Sequence, residues 1–181
     1  ENHSKYGELI YSHSQKDVFV NLFIPSTLNW KEKGIALEQT TKFPYENNTE
    51  IVLKLKKSET FVLNIRYPKW AENFEISING KLQKTEAKPS NYVSLTRKWK
   101  SGDKITVSFK TSTHLENLPD GSNWAAFVNG PIVLAAKTST EDLEGLFADD
   151  SRMGHVARGK YIPLDKAYAL VGEKGSYVSK L

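Results

Sequence analysis

The chain has 181 residues, of which 39% are apolar and 25% charged, with 25 Lys and Arg against 21 acids and a formal net charge of +4. That length suits one domain or one domain and the start of another, and no apolar run reaches the roughly 18 residues of a membrane span. The basic residues are interleaved with acids, which reads as a solvated surface and not as a nucleic-acid footprint, and the absence of cysteine excludes a disulfide framework, a thiolate nucleophile and any Cys-held metal within the chain.

The first residues carry Tyr6, Leu9, Ile10 and His13 at helical spacing, so a short amphipathic helix is expected over about Glu1 to Ser14. A helix of that length is marginal in water and needs a partner, and the rest of the chain reads almost wholly as β. There is no initiator Met and no signal-peptide pattern at Glu1, and the simplest expectation is a chain that begins inside a larger protein.

From Asp17 to about Ala136, short apolar runs alternate with turn residues, as in a two-sheet sandwich. DVFVNLFIP (Asp17 to Pro25) is apolar on both faces and predicts a well-covered central strand that Pro25-Ser26 ends. KGIALEQTTKF predicts a second extended segment, and PYENN a turn. In TEIVLKLKK, Ile51, Leu53 and Leu55 alternate with Lys54 and Lys56, the mark of one buried and one wet face. ETFVLNIRYPKW puts Phe61, Leu63, Ile65 and Tyr67 on one side, with Asn64 and Arg66 opposite, until Pro68 stops it. FEISINGKLQ alternates Phe74, Ile76 and Ile78 up to Asn79-Gly80, the pair favoured in a tight hairpin because both central residues need positive φ. YVSLTRKW and DKITVSF flank a turn at Lys100-Ser101-Gly102, and WAAFVNGPIVLAA (Trp124 to Ala136) closes the series. Beyond Lys137 the alternation fades and Gly and charge increase, although Thr140 offers an N-cap for a short helical turn.

The expected fold is therefore all-β: an antiparallel sandwich, jelly-roll or Ig-like, over 17–137, with a helical stub before it and an irregular segment over 138–181 that completes the sandwich or leads into a second β-domain. A barrel of similar strand count is the alternative.

Signals for chemistry are sparse. No histidine pair has the spacing of a helical zinc site, and phosphate loops and nucleophile elbows are absent. His155 follows Asp149, Asp150 and Arg152, where a metal or an acid/base pair is conceivable, but a polar loop explains the cluster more simply. Carboxylate pairs such as Glu46 and Glu50, or Glu141 and Glu144, lack any sequence evidence of the 5–10 Å opposition that a glycosidase needs. No catalytic residue and no metal ligand is assigned. Trp70 and Trp99 end their strands next to lysines and are the candidate sugar-binding platform. Against that, Trp and Tyr are normal amphipathic plugs of a sandwich core.

KYGELIYSHSQKDVFVNLFIPSTLNW, LNIRYPKWAENFEISINGK and NGPIVLAA together resemble segments of bacterial proteins of glycoside hydrolase family 127, once filed as domain of unknown function 1680, whose members include β-L-arabinofuranosidases. The resemblance implies an (α/α)6 catalytic barrel followed by β-sandwich domains, with a cysteine nucleophile and a zinc ion held by cysteines and a glutamate. This chain has no cysteine, so none of those positions carries over and no cofactor is assigned to it. The zinc belongs to the catalytic domain that the resemblance implies. On the same basis residues 1–16 are the remnant of that helical domain, with Glu1, Asn2 and His3 close to its active site without being catalytic. The implied role is a non-catalytic accessory sandwich of a hydrolase acting on arabinofuranose-containing plant glycans. Its partners would be its own N-terminal barrel, a plant-derived oligosaccharide and a second copy in a homodimer, with no nucleic acid or membrane. A bacterial periplasmic or secreted location suits the parent, with the cytoplasm left open. A carbohydrate-binding module and a protein-interaction sandwich are the competing readings.

Overall fold

A computed structural model describes residues 5–121 and 125–135. The chain divides into two compact units, one of residues 1–112 with 129–132 and the other of residues 113–128 with 133–181.

The first unit is a β-sandwich. It opens with α1 (Lys5–Leu9), β1 (Tyr11–His13), β2 (Asp17–Val20), β3 (Ser26–Trp30), β4 (Ile35–Thr41) and β5 (Asn48–Leu55). There follow β6 (Glu59–Tyr67), β7 (Glu72–Ile78), β8 (Lys81–Gln83), β9 (Asn91–Trp99) and β10 (Lys104–Lys110). One sheet has four strands in the order β1-β2-β6-β9, and the other has six in the order β3-β4-β5-β10-β7-β8. Alternation decides which side chains meet between them. Val18, Val20, Leu63 and Ile65 of the smaller sheet and Leu37, Ile51, Leu53, Ile76, Ile105 and Val107 of the larger one are fully buried. The larger sheet's outer face is wet, where Lys54 pairs with Glu38 and Lys104 with Glu50. Such half-exposed pairs contribute about 0–1 kcal/mol each.

Three local readings differ from the sequence expectation. The helix spans only Lys5–Leu9, and Tyr11–His13 instead form β1, paired antiparallel with β2. Ile10 is buried while Tyr6 and Leu9 remain exposed, so the helical face does not continue through His13. A whole strand, β3, follows Pro25 and forms a hairpin with β4 in which Leu28 faces Leu37 and Trp30 faces Ile35. Finally, β2 pairs with β6 in parallel, within sheets that are otherwise antiparallel.

The turn residues do two different jobs. Asn79 (φ 50°) and Gly80 (φ 78°) close the β7–β8 hairpin, with Ile78 directly opposite Lys81. Lys100-Ser101-Gly102 instead forms a corner, because β9 belongs to the smaller sheet and β10 to the larger. Gly102 N donates to Leu53 O, and Leu53 N to Asp103 O, tying that corner to β5.

The remaining described strands are β11 (Thr113–Asn117), β12 (Ala125–Asn129) and β13 (Ile132–Val133), in the sheet order β11-β12-β13. The expected helical turn at Thr140, the 138–181 segment, Trp124 and the His155 cluster all lie outside the described residues.

Candidate functional site

Five aromatic residues, Phe43, Tyr67, Trp70, Phe74 and Phe109, gather at one end of the sandwich, where β6 leaves the smaller sheet and β7 enters the larger. Tyr67 stacks on Phe74 with ring centroids 4.3 Å apart, and Phe74 lies parallel to Phe109 at 6.4 Å. Trp70 stacks on Phe43 at 5.4 Å and meets the Phe109 ring edge-on. Phe74 and Phe109 are buried; Tyr67, Trp70 and Phe43 are half-buried. Beside this ladder opens a cleft of ≈ 600 Å³, lined by Tyr67, Asn73, Glu75, Thr85, Ser108 and Lys110 among others. That lies within the roughly 300–1,000 Å³ usual for small-molecule sites.

A second cleft, ≈ 460 Å³, lies between the turn after β1 and the β3–β4 turn. Here His13 stacks on Trp30 at 4.5 Å and the Lys33 ammonium sits 5.8 Å from the Trp30 ring, so the indole's neighbours are already in place. Trp30 is buried, and its Nε1 has no hydrogen-bond partner in the structure.

The two tryptophans proposed from sequence part company. Trp99 is 0% exposed; its Nε1 donates to Phe61 O at 3.0 Å, and the Arg97 guanidinium covers its ring at 5.3 Å. The platform assignment is corrected for Trp99, which has no face to offer a sugar in this unit. Trp70 keeps partial exposure, but Phe43 covers one of its faces. Tyr67 lines the cleft together with Phe74 and Phe109, and sequence reasoning placed it only on the buried side of β6.

The carboxylates resolve as surface pairs. Glu46 accepts from Lys42 Nζ at 2.9 Å, which holds the Glu46 carboxyl below its ordinary pKa and the Lys42 ammonium above its own. Glu50 pairs with Lys104 instead, so the two glutamates do not form a catalytic couple. Among the described residues Asp103 is the buried acid. Burial alone would raise its pKa, but hydrogen bonds from Asn79 Nδ2 and Lys100 N, with the Arg97 and Lys100 charges, together hold it below the usual carboxylate value. Its ties are to turn residues, which marks a structural role. Tyr11 is held above the ordinary phenol value by burial, partly offset by its hydrogen bond with Ser26.

Zinc of the kind implied by the sequence resemblance would need thiolate ligands, and the chain has none. Among the described residues no group of three His, Asp or Glu side chains could hold a metal. The residues present do not fit that ion.

The family model described as "Beta-L-arabinofuranosidase, GH127 middle domain" matches residues 17–111, and a family described only as a domain of unknown function matches residues 114–181. No curated protein matches the chain. A solved structure titled glycoside hydrolase is 30% identical with a TM-score of 0.61, over 68% of this chain and 22% of that one. A structure titled as a GH127 β-arabinofuranosidase is 26% identical, TM-score 0.58, over 68% of this chain and 23% of that one. A GH127 β-L-arabinofuranosidase from Geobacillus stearothermophilus T6, 23% identical with a TM-score of 0.63 over 72% of this chain and 22% of that one, shares the fold. The chain thus spans about a fifth of the length of these relatives, at 22–23%.

Proposed function

Since the chain belongs to the GH127 β-L-arabinofuranosidase family, matching its middle domain, we propose that it serves as a non-catalytic accessory sandwich of a hydrolase acting on arabinofuranose-containing glycans. The observation that carries this reading is the internal use of the residues a site would need. Trp99 is sealed in the core, Asp103 braces a turn, and Glu46 and Glu50 are each paired to a lysine. What remains is a rigid, well-packed body of the kind that supports a neighbouring catalytic constellation and excludes water from it. Its partner in this reading is a helical catalytic domain of the same polypeptide, which supplies the reacting groups.

The test joins the chain to a catalytic domain of the family. The joined protein should melt higher and keep activity longer at elevated temperature than the catalytic domain alone. A core-breaking Leu63→Asp substitution in the sandwich should abolish that gain, because it buries a charge with no partner. Equal stability and activity with and without the sandwich would contradict the support role.

A further inference from the structure

The cleft beside Tyr67 has a composition that the support role does not use. β10 advances from Ser108 to Lys110 while β7 steps from Glu75 to Glu72, so β7 carries an extra residue next to Asn73, whose φ is 46°. Such bulges re-aim side chains and recur beside functional sites. Around it, Asn73, Glu75 and Lys110 are exposed and Ser108 half-buried. None of these four side chains holds a hydrogen bond or ion pair with another described residue. Their neighbours with structural work are bonded: Ser112 Oγ donates to Glu72 at 2.6 Å, and Asn47 Nδ2 to Thr111 Oγ1 at 3.4 Å.

We propose that this cleft binds a neutral oligosaccharide, with the Tyr67 ring as its apolar wall and Asn73, Glu75, Ser108 and Lys110 as hydroxyl partners. One face of the Tyr67 ring rests on Phe74, which fixes its plane. A flat ring of that kind takes the C–H face of a sugar, while an amide, a carboxylate, a hydroxyl and an ammonium supply donors and acceptors to its rim. The Glu75 and Lys110 charges are opposite, so the cleft has no net attraction for an ion. The choice of a sugar as occupant rests on the glycan reading above; the location rests on the cleft itself.

The experiment is a nitrogen-15 amide-shift titration of the full chain with an arabinofuranosyl disaccharide, and separately with cellobiose. Shifts confined to residues 73–75, 85–87 and 108–110, and affinity weakened about tenfold by Glu75→Ala, support the proposal. Lys54→Ala, on β5 and outside the residues that line this cleft, should leave binding unchanged. Tyr67→Leu should also weaken binding, and because it can disturb the core, Glu75→Ala, at an exposed position, carries the test. Binding of cellobiose alone at these residues supports the cleft while contradicting the arabinofuranose reading. No shifts at the cleft with either sugar, or affinity unchanged in Glu75→Ala, overturns the proposal and leaves the support role standing.

Discussion

Trp99 donates its indole N–H to the Phe61 carbonyl at 3.0 Å, and the two rings pack at 5.8 Å, so the last residue of β9 locks the start of β6. With the whole side chain out of water, this contact is a stability element. Trp99→Phe leaves the carbonyl without that donor and should cost about 1–3 kcal/mol. Trp99→Ala should cost about 3–5 kcal/mol through the cavity it opens. Urea unfolding of both variants measures the difference, and an effect near zero would place Trp99 on the surface.

The hairpin at Asn79-Gly80 gives a backbone test free of packing effects. A Cβ at Gly80 would meet no atom within 4 Å, yet φ is 78°. Gly80→Ala should therefore destabilise by about 1 kcal/mol from conformational strain alone. Gly7→Ala, in α1 and equally unobstructed, lacks that positive φ and should be neutral or stabilising. Thermal melts of the pair separate the two cases.

Gly130 combines strain with a clash. Its φ is 56°, and an added Cβ would lie 2.8 Å from Thr111 Cγ2. Gly130→Ala should destabilise by more than Gly80→Ala. Adding Thr111→Ser removes the offending methyl while keeping the hydroxyl that Asn47 bonds, so the double variant should recover the steric part and retain the strain. A double-mutant cycle by chemical denaturation reads the coupling.

Asp103 sets an acid limit. Its carboxyl accepts from Asn79 Nδ2 at 2.8 Å and from Lys100 N at 2.8 Å, and its folded pKa lies below the ordinary aspartate value. The carboxylate therefore contributes its full stabilisation at pH values above the unfolded-state pKa. That contribution fades as pH falls through the lower folded pKa. Asp103→Asn replaces an acceptor with a donor facing a donor, so it should lower the melting temperature at neutral pH. The gap between wild type and variant should narrow steadily in acid. A gap independent of pH would contradict the assignment.

Strands built on clean alternation were legible in the chain. Phe74, Ile76 and Ile78 running into Asn79-Gly80 predict β7, its buried face and its turn, and Ile51 and Leu53 do the same for β5. β3 was hidden because Thr27 and Asn29 face water and Pro25 reads as a stop, while its pairing with β4 depends on residues farther along the chain. The corner at Lys100-Ser101-Gly102 resembles a hairpin turn, since turn chemistry is the same whether the next strand returns to its own sheet or crosses to the other. Trp99 was mis-sited by its lysine neighbours, although it is in phase with the buried Val93 and Leu95. Arg97 breaks that phase to the eye, being exposed, yet it covers the Trp99 ring. The Tyr67 cleft could not be read at all, because it joins β6, β7, β10 and the segment after β8 through sheet geometry and a bulge that no local pattern announces.

The accessory reading meets its most direct test in turnover by the chain alone. The purified protein, shown to be folded by near-ultraviolet circular dichroism, is incubated with p-nitrophenyl arabinofuranosides, and p-nitrophenol release is followed against buffer. The account predicts release at the buffer rate. Release above that rate by the folded chain, persisting through successive purification steps, would contradict it.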